Sequence, residues 1–176
     1  MNPWHDVSAG KDAPEIINGI IENPKDTRTK YVLDKKTGLL NLESVIYSSM
    51  HYPANYGFIP KTYVEGDKAP LDILILASIP IVPMCIVRAK VIGAMCMKDG
   101  ENRDDKIIAV AADDISVSHI HDVHEIPTHI QQDLKKFFEC YAKLEEKKFI
   151  VDELQRKSVA LGIVAKAIDE YRARFV

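Results

Sequence analysis

Leu71-Asp72-Ile73-Leu74-Ile75-Leu76, residues 71–76, is an aliphatic run broken at its second position by a carboxylate. The run predicts a strand, and successive strand residues point to opposite faces. With Leu71 and Ile73 on one face, Asp72 stands on the other beside Leu74 and Leu76. An ionised Asp among such side chains needs a partner, and a hard cation suits it.

On either side of this run the chain reads as short strands separated by turns. Residues 16–22 predict a strand, followed by the turn Asn23-Pro24-Lys25-Asp26. Residues 30–33 and 39–47 predict two more, joined by Asp34-Lys35-Lys36-Thr37-Gly38, where Gly38 offers a positive φ. Residues 85–97 and 106–111 complete the set, with an acidic loop over 98–105. Tyr52-Pro53-Ala54-Asn55-Tyr56-Gly57-Phe58-Ile59-Pro60 reads as a loop carrying three aromatics, and 113–127 as an irregular connector. Many short strands with turns between them predict a barrel.

The period changes after residue 127. Thr128 is the expected N-cap, with Gln131 as its capping-box partner. Ile130, Leu134, Phe137, Phe138, Tyr141 and Leu144 then share one helical face, while Lys135, Lys136, Lys143 and Lys147 point away. A second helix is expected over 154–174, with Val159, Ile163, Ala167, Ile168 and Tyr171 inward and Gly162 weakening its middle. The first fifteen residues read as an arm over the body. The expectation is one domain over 1–176, mostly β with α, built as one barrel covered by two helices.

At 176 residues the chain has enough surface to bury a core without a staple. Its 23 Lys and Arg against 26 Asp and Glu give a net charge of -3, which disfavours a nucleic-acid or anionic-membrane surface. Cys85, Cys96 and Cys140 form no CxxC and suggest buried thiols in a reducing compartment. Residues 71–87 form the longest apolar stretch, but Asp72 and two prolines interrupt it, and no N-terminal signal is visible. The expected setting is therefore soluble and cytoplasmic. Neither a GxGxxG nor a Walker A loop is present.

Acidic residues concentrate in two segments, Glu65-Gly66-Asp67-Lys68-Ala69-Pro70-Leu71-Asp72 and Asp99-Gly100-Glu101-Asn102-Arg103-Asp104-Asp105-Lys106. Such segments are often only solvated turns. With no Cys or His among the acids, any metal site here suits Mg2+ or Mn2+ better than structural zinc. His119, His121, His124 and His129 lack zinc spacing and read as surface or core hydrogen-bonding groups. Lys30, Tyr52, Tyr56, Lys106 and Tyr141 fall near the same strand ends. Carboxylates to hold cations, with Lys and Tyr to hold phosphoryl oxygens, are the parts of metal-assisted phosphoryl transfer to water.

The run Tyr47-Ser48-Ser49-Met50-His51-Tyr52-Pro53-Ala54-Asn55-Tyr56-Gly57-Phe58-Ile59-Pro60 closely resembles the core signature of soluble family I inorganic pyrophosphatases. Asn2-Pro3-Trp4-His5-Asp6-Val7, Pro70-Leu71-Asp72, Asp105-Lys106-Ile107-Ile108-Ala109-Val110 and Phe137-Phe138-Glu139-Cys140-Tyr141 look like the same family. The resemblance implies a five-stranded, OB-like closed barrel flanked by two C-terminal α-helices. It also implies a homo-oligomer, hexameric in the prokaryotic type, and Mg2+-dependent hydrolysis of inorganic diphosphate, with Mn2+ as a second cation. By position, Asp67, Asp72, Asp99 and Asp104 match metal-binding aspartates, Asp67 also having a catalytic role, and Glu22 matches an acid near the metals. Lys30, Lys106 and Tyr141 match groups holding phosphate, Tyr56 the tyrosine beside the nucleophile, and Tyr52 the lining of the same cavity.

Departures from the family pattern fall in the same places. Val32 stands where Glu is usual, Ser44 where Arg is usual, and Ala142 where Lys is usual. Lys143 lies about 100° further round the helix and is a poor substitute. The metal loop admits two alignments. In one, Asp67 takes the first metal position and Ala69 replaces an aspartate; in the other, Glu65 and Asp67 keep both roles and Lys68-Ala69 bulges out. Each charged hydrogen bond lost from the transition state costs about 2–4 kcal/mol. The competing expectation is thus a catalytically impaired homologue that keeps the fold, the oligomer and some metal or diphosphate binding. Lys136, Cys140 and Lys143 occupy the helix at which the family hexamer is expected to pack.

Overall fold

The computed structural model describes residues 1–176. In chain order it comprises α1 (Pro3–Asp6), β1 (Ile16–Asn23), β2 (Thr29–Leu33), β3 (Leu40–Val45), β4 (Asn55–Val64), β5 (Ala69–Leu76), β6 (Ile86–Asp99) and β7 (Asn102–Ala111). A 3-10 turn (Val123–Glu125), α2 (Thr128–Leu144), β8 (Ile150–Val151), β9 (Gln155–Arg156) and α3 (Lys157–Phe175) follow.

The aliphatic run around Asp72 forms β5, antiparallel to β4 and parallel to β7. Its two faces enter different cores, which explains the nearly continuous hydrophobicity. Leu71, Ile73 and Ile75 pack in one cluster with Ala160, Val164 and Ala167 of α3. Leu74 packs in the other with Leu134, Phe137 and Phe138 of α2, and Leu76 lies against that cluster. The expected alternation about Asp72 is therefore present.

The expected five-stranded closed barrel is corrected. The main sheet has seven strands in the order β1-β4-β5-β7-β6-β8, with β9 also pairing with β6, and β2-β3 form a separate two-stranded sheet. β1 divides its pairing, Ile16–Ile20 running against β6 and Ile20–Asn23 against β4, so the sheet curls sharply at this strand. The two C-terminal helices are present as expected.

The aromatic segment expected as a loop is largely the strand β4. Its turn-forming residues have other uses. A Cβ on Gly57 would lie 1.8 Å from the Ile20 carbonyl oxygen, so glycine permits β1 and β4 to approach. Between Ile59 and Val64 the β4–β5 ladder is irregular. Thr62 bridges that gap, its Oγ1 accepting from Leu71 N at 2.9 Å and donating to Ile59 O at 2.6 Å. The ladder resumes at Val64–Ala69, which leaves a tight turn over 65–68.

Thr128 is the first residue of α2 rather than its cap; Pro127 holds the cap position without a side-chain bond. Gln131 instead donates to the Ile126 carbonyl at 2.9 Å. α3 begins at Lys157, since 155–156 pair with β6, and its buried side is Ala160, Val164, Ala167 and Tyr171. Val159 faces outward at 41% exposure, whereas Ile163 and Ile168 pack partly buried. The N-terminal arm is pinned by Trp4, whose indole N–H donates to Thr62 O at 2.8 Å.

Candidate active site

Strand register builds the centre of the site. Asp72 on β5 lies directly opposite Lys106 on β7 and opposite Phe58 on β4. Tyr56 and Asp104 sit two residues from Phe58 and Lys106, and therefore on the same faces as those residues. The Lys106 ammonium donates to Asp72 Oδ2 at 2.9 Å, Asp104 Oδ2 at 3.3 Å and Tyr56 Oη at 3.2 Å. Tyr56 in turn donates to Asp72 Oδ2 at 2.6 Å. Lys106 is buried, and the rings of Tyr56 and Phe138 lie 5.2 and 5.0 Å from its Nζ. Burial opposes its charge, but Asp72 and Asp104 outweigh that and hold its pKa above the ordinary lysine value.

These groups line a cavity of about 250 Å3 together with Glu22, Asp67, Lys30, Tyr52 and Tyr141. Glu22, the penultimate residue of β1, accepts from Leu33 N at 2.9 Å. Burial foremost, with the Asp72 charge adding to it, pushes its pKa up to about 8. Asp104 is raised by burial and by Asp72, against the pull of Lys106. Asp67 is raised by burial and then by Asp104 and Asp72. The cavity thus gathers mutually repelling carboxylates.

α2 supplies an aromatic wall. Tyr52 lies 4.9 Å from Phe137 and 5.8 Å from Tyr56 between ring centroids, and Phe137 lies 5.7 Å from Tyr141. Burial above all raises the pKa values of Tyr52, Tyr56 and Tyr141, keeping their hydroxyls protonated as donors. Lys30 meets Glu145, and Glu43 at 3.2 Å; burial works against its ammonium, but these two carboxylates raise its pKa.

Of the residues expected from sequence, Asp99 stands apart. It lies at the β6–β7 turn and lines a neighbouring cleft of about 820 Å3 with Glu65, Glu101 and Asp105, whereas Asp67 borders both spaces. Glu65 is exposed and lies 3.4 Å from Arg174. Val32, Ala69 and Ala142 all line the cavity, so these three departures from the family pattern are exposed to it, whereas Ser44 is outside the lining.

Three charged lining residues were missed, Lys35, Glu145 and Lys147. Lys147 was expected on the outward face of a helix. However, α2 stops at Leu144 and the chain turns, so helical periodicity no longer governs the lysine. The charged run just past the last apolar helical residue was the available signal. Lys143 is exposed and outside the cavity lining.

The donors suit a hard divalent cation: oxygen atoms only, buried at Glu22, half-buried at Asp72 and Asp104 and exposed at Asp67, and carrying more negative charge than Lys106 offsets. No three of the acidic side chains are close enough together to form a ligand group around one ion. Glu22, Asp67, Asp72 and Asp104 supply the donors by chemistry, and Lys106 now occupies the space between two of them.

A family model described as inorganic pyrophosphatase matches residues 19–172. Soluble inorganic pyrophosphatase 2 of Chlamydomonas reinhardtii is 45% identical over 175 residues, covering 99% of this chain and 91% of the relative. The crystal structure of inorganic pyrophosphatase from Thermus thermophilus superposes with a TM-score of 0.92 at 34% identity, covering 98% and 99% of the two chains. The Helicobacter pylori enzyme gives 0.88 at 33% identity, covering 96% and 99%. Matched along nearly its whole length in both sequence and fold, the chain belongs to the inorganic pyrophosphatase family.

Proposed function

We propose that the protein hydrolyses inorganic diphosphate to two orthophosphates with Mg2+ as its cofactor. The observation that carries this reading is the buried Lys106 held between Asp72 and Asp104 in a cavity that also contains Glu22, Asp67, Lys30 and Tyr141. Lys30, Lys106, Tyr52 and Tyr141 hold the phosphoryl oxygens, ammonium and phenol groups both being donors to anions. Tyr56 positions the group at Asp72 through its hydroxyl. Water attacks phosphorus as the bridging P–O bond breaks; its proton passes to Asp67, and the leaving phosphate is stabilised by the lysines. Glu22, Asp72 and Asp104, with Asp67 at the cavity border and Asp99 from the neighbouring cleft, would hold the cation. When bound, a divalent cation neutralises phosphoryl charge and makes water more acidic.

Four lysines line the cavity, Lys30, Lys35, Lys106 and Lys147. They retain cationic charge despite Ala142 and Ser44, which favours an active enzyme over an impaired homologue. No helix is long and apolar enough to cross a membrane, in keeping with a soluble setting, proposed as the cytoplasm. The proposed hexamer is checked by sedimentation equilibrium. For the reaction, phosphate release is measured with diphosphate and Mg2+, alongside Asp72→Asn. The expected result is robust turnover that falls roughly 100-fold or more in the variant. Folded protein without turnover in Mg2+, Mn2+ or Zn2+ overturns the reading in favour of the impaired homologue.

A further inference from the structure

Glu145 occupies the first position past α2, and its side chain is largely covered. Its two carboxylate oxygens go to different cations: Oε1 to Lys30, from β2, and Oε2 to Lys147, at 3.2 Å, from the turn beyond the helix. Both lysines line the cavity proposed to bind diphosphate. Two oxygens of one anion on two ammonium groups from separate elements is also how a phosphate would take them. Glu43, more exposed, also meets Lys30, at 3.2 Å. Despite burial, Lys30 and then Lys147 hold the Glu145 carboxyl below its ordinary pKa, so it remains an anion at neutral pH.

Resting on the proposed diphosphatase reading, we infer that Glu145 is an internal competitor for the phosphate subsite, and that Lys147 is a diphosphate-binding residue in this chain. A cation is then regained that Ala142 does not supply, and it is partly masked by the neighbouring carboxylate. Releasing it requires only rotation of the Glu145 side chain. The backbone N–H of Glu145 bonds Tyr141 O and that of Lys147 bonds Ala142 O, and neither bond involves the carboxylate.

The test is calorimetric binding of methylenediphosphonate in Mg2+ to the wild type, Glu145→Gln, Lys147→Gln and the double variant. Melting curves establish that each is folded. Removing the competing charge is expected to tighten binding about 3- to 10-fold in Glu145→Gln, with a matching fall in KM for diphosphate. Lys147→Gln weakens binding, and in the double variant the gain from Glu145→Gln shrinks. Unchanged or weaker binding in Glu145→Gln overturns the inference, because a carboxylate that merely positions Lys30 gives that result. The ligand is not hydrolysed, so a binding shift stands even if the wild type fails to turn over diphosphate. Turnover with no shift defeats this inference alone.

Discussion

Replacing Lys106 with methionine removes the one ammonium between Asp72 and Asp104 while keeping much of the side-chain stem. Lys106 is 4% exposed and lies 2.9 and 3.3 Å from the two carboxylates. Deleting one partner of a buried ion pair costs about 3–5 kcal/mol, because an uncompensated charge is left behind. Here two carboxylates are left facing each other, but their side chains are 29% and 26% exposed, and water relieves part of the repulsion. The lower end, about 3 kcal/mol, is therefore expected, a fall in Tm of roughly 6–12 °C for a chain of this size. Urea and thermal unfolding followed by circular dichroism in chelator at pH 7.5 read it out. Asp104 is already raised by burial, and it rises further once Lys106 is gone. A raised folded pKa means that the native state takes up protons as pH falls, so the variant should recover stability between pH 7.5 and 5. Adding Asp72→Asn to the variant should also restore part of the loss. A Tm change under about 2 °C, or a loss that neither pH nor Asp72→Asn alters, would refute the picture of a lysine-neutralised carboxylate pair.

Two further outcomes follow from burial and backbone geometry. Glu22, with a pKa of about 8 against 4.5 unfolded, contributes stability that is present below about 4.5 and lost as pH rises to about 8. In chelator, Glu22→Gln should flatten that decline, and an unchanged slope counts against the assignment. Gly57→Ala places a Cβ 1.8 Å from the Ile20 carbonyl oxygen, forcing β1 and β4 apart. Chemical denaturation should show a loss of at least about 3 kcal/mol or no folded protein, and a loss under about 1 kcal/mol sinks the close-approach argument.

Local patterns were readable where neighbours in the chain are neighbours in space. The side of β5 on which Asp72 falls follows from the two-residue strand repeat, and Leu74 does share its face. The inward faces of α2, through Leu134, Phe137 and Phe138, follow from helical repeat in the same way. Features that depend on a distant partner were misread. Tyr56-Gly57-Phe58 has the composition of a loop, yet ladders on both sides make it a central strand. Lys147 falls on the outward face only if α2 continues, and the helix stops before reaching it.

The division at the site has the same cause. The sequence alone determined the inventory: clustered acids, the lysines and tyrosines around them, and a signature long enough to indicate the family. It could not say that Asp104 joins Asp72 while Asp99, five residues earlier, borders a different cleft. Nor could it seat Lys106 between two carboxylates or Glu145 between two lysines. Those contacts depend on the parallel register of β5 against β7 and on where α2 ends. Register is set by pairing between segments far apart in the chain, and a slip of one residue turns every side chain to the opposite face.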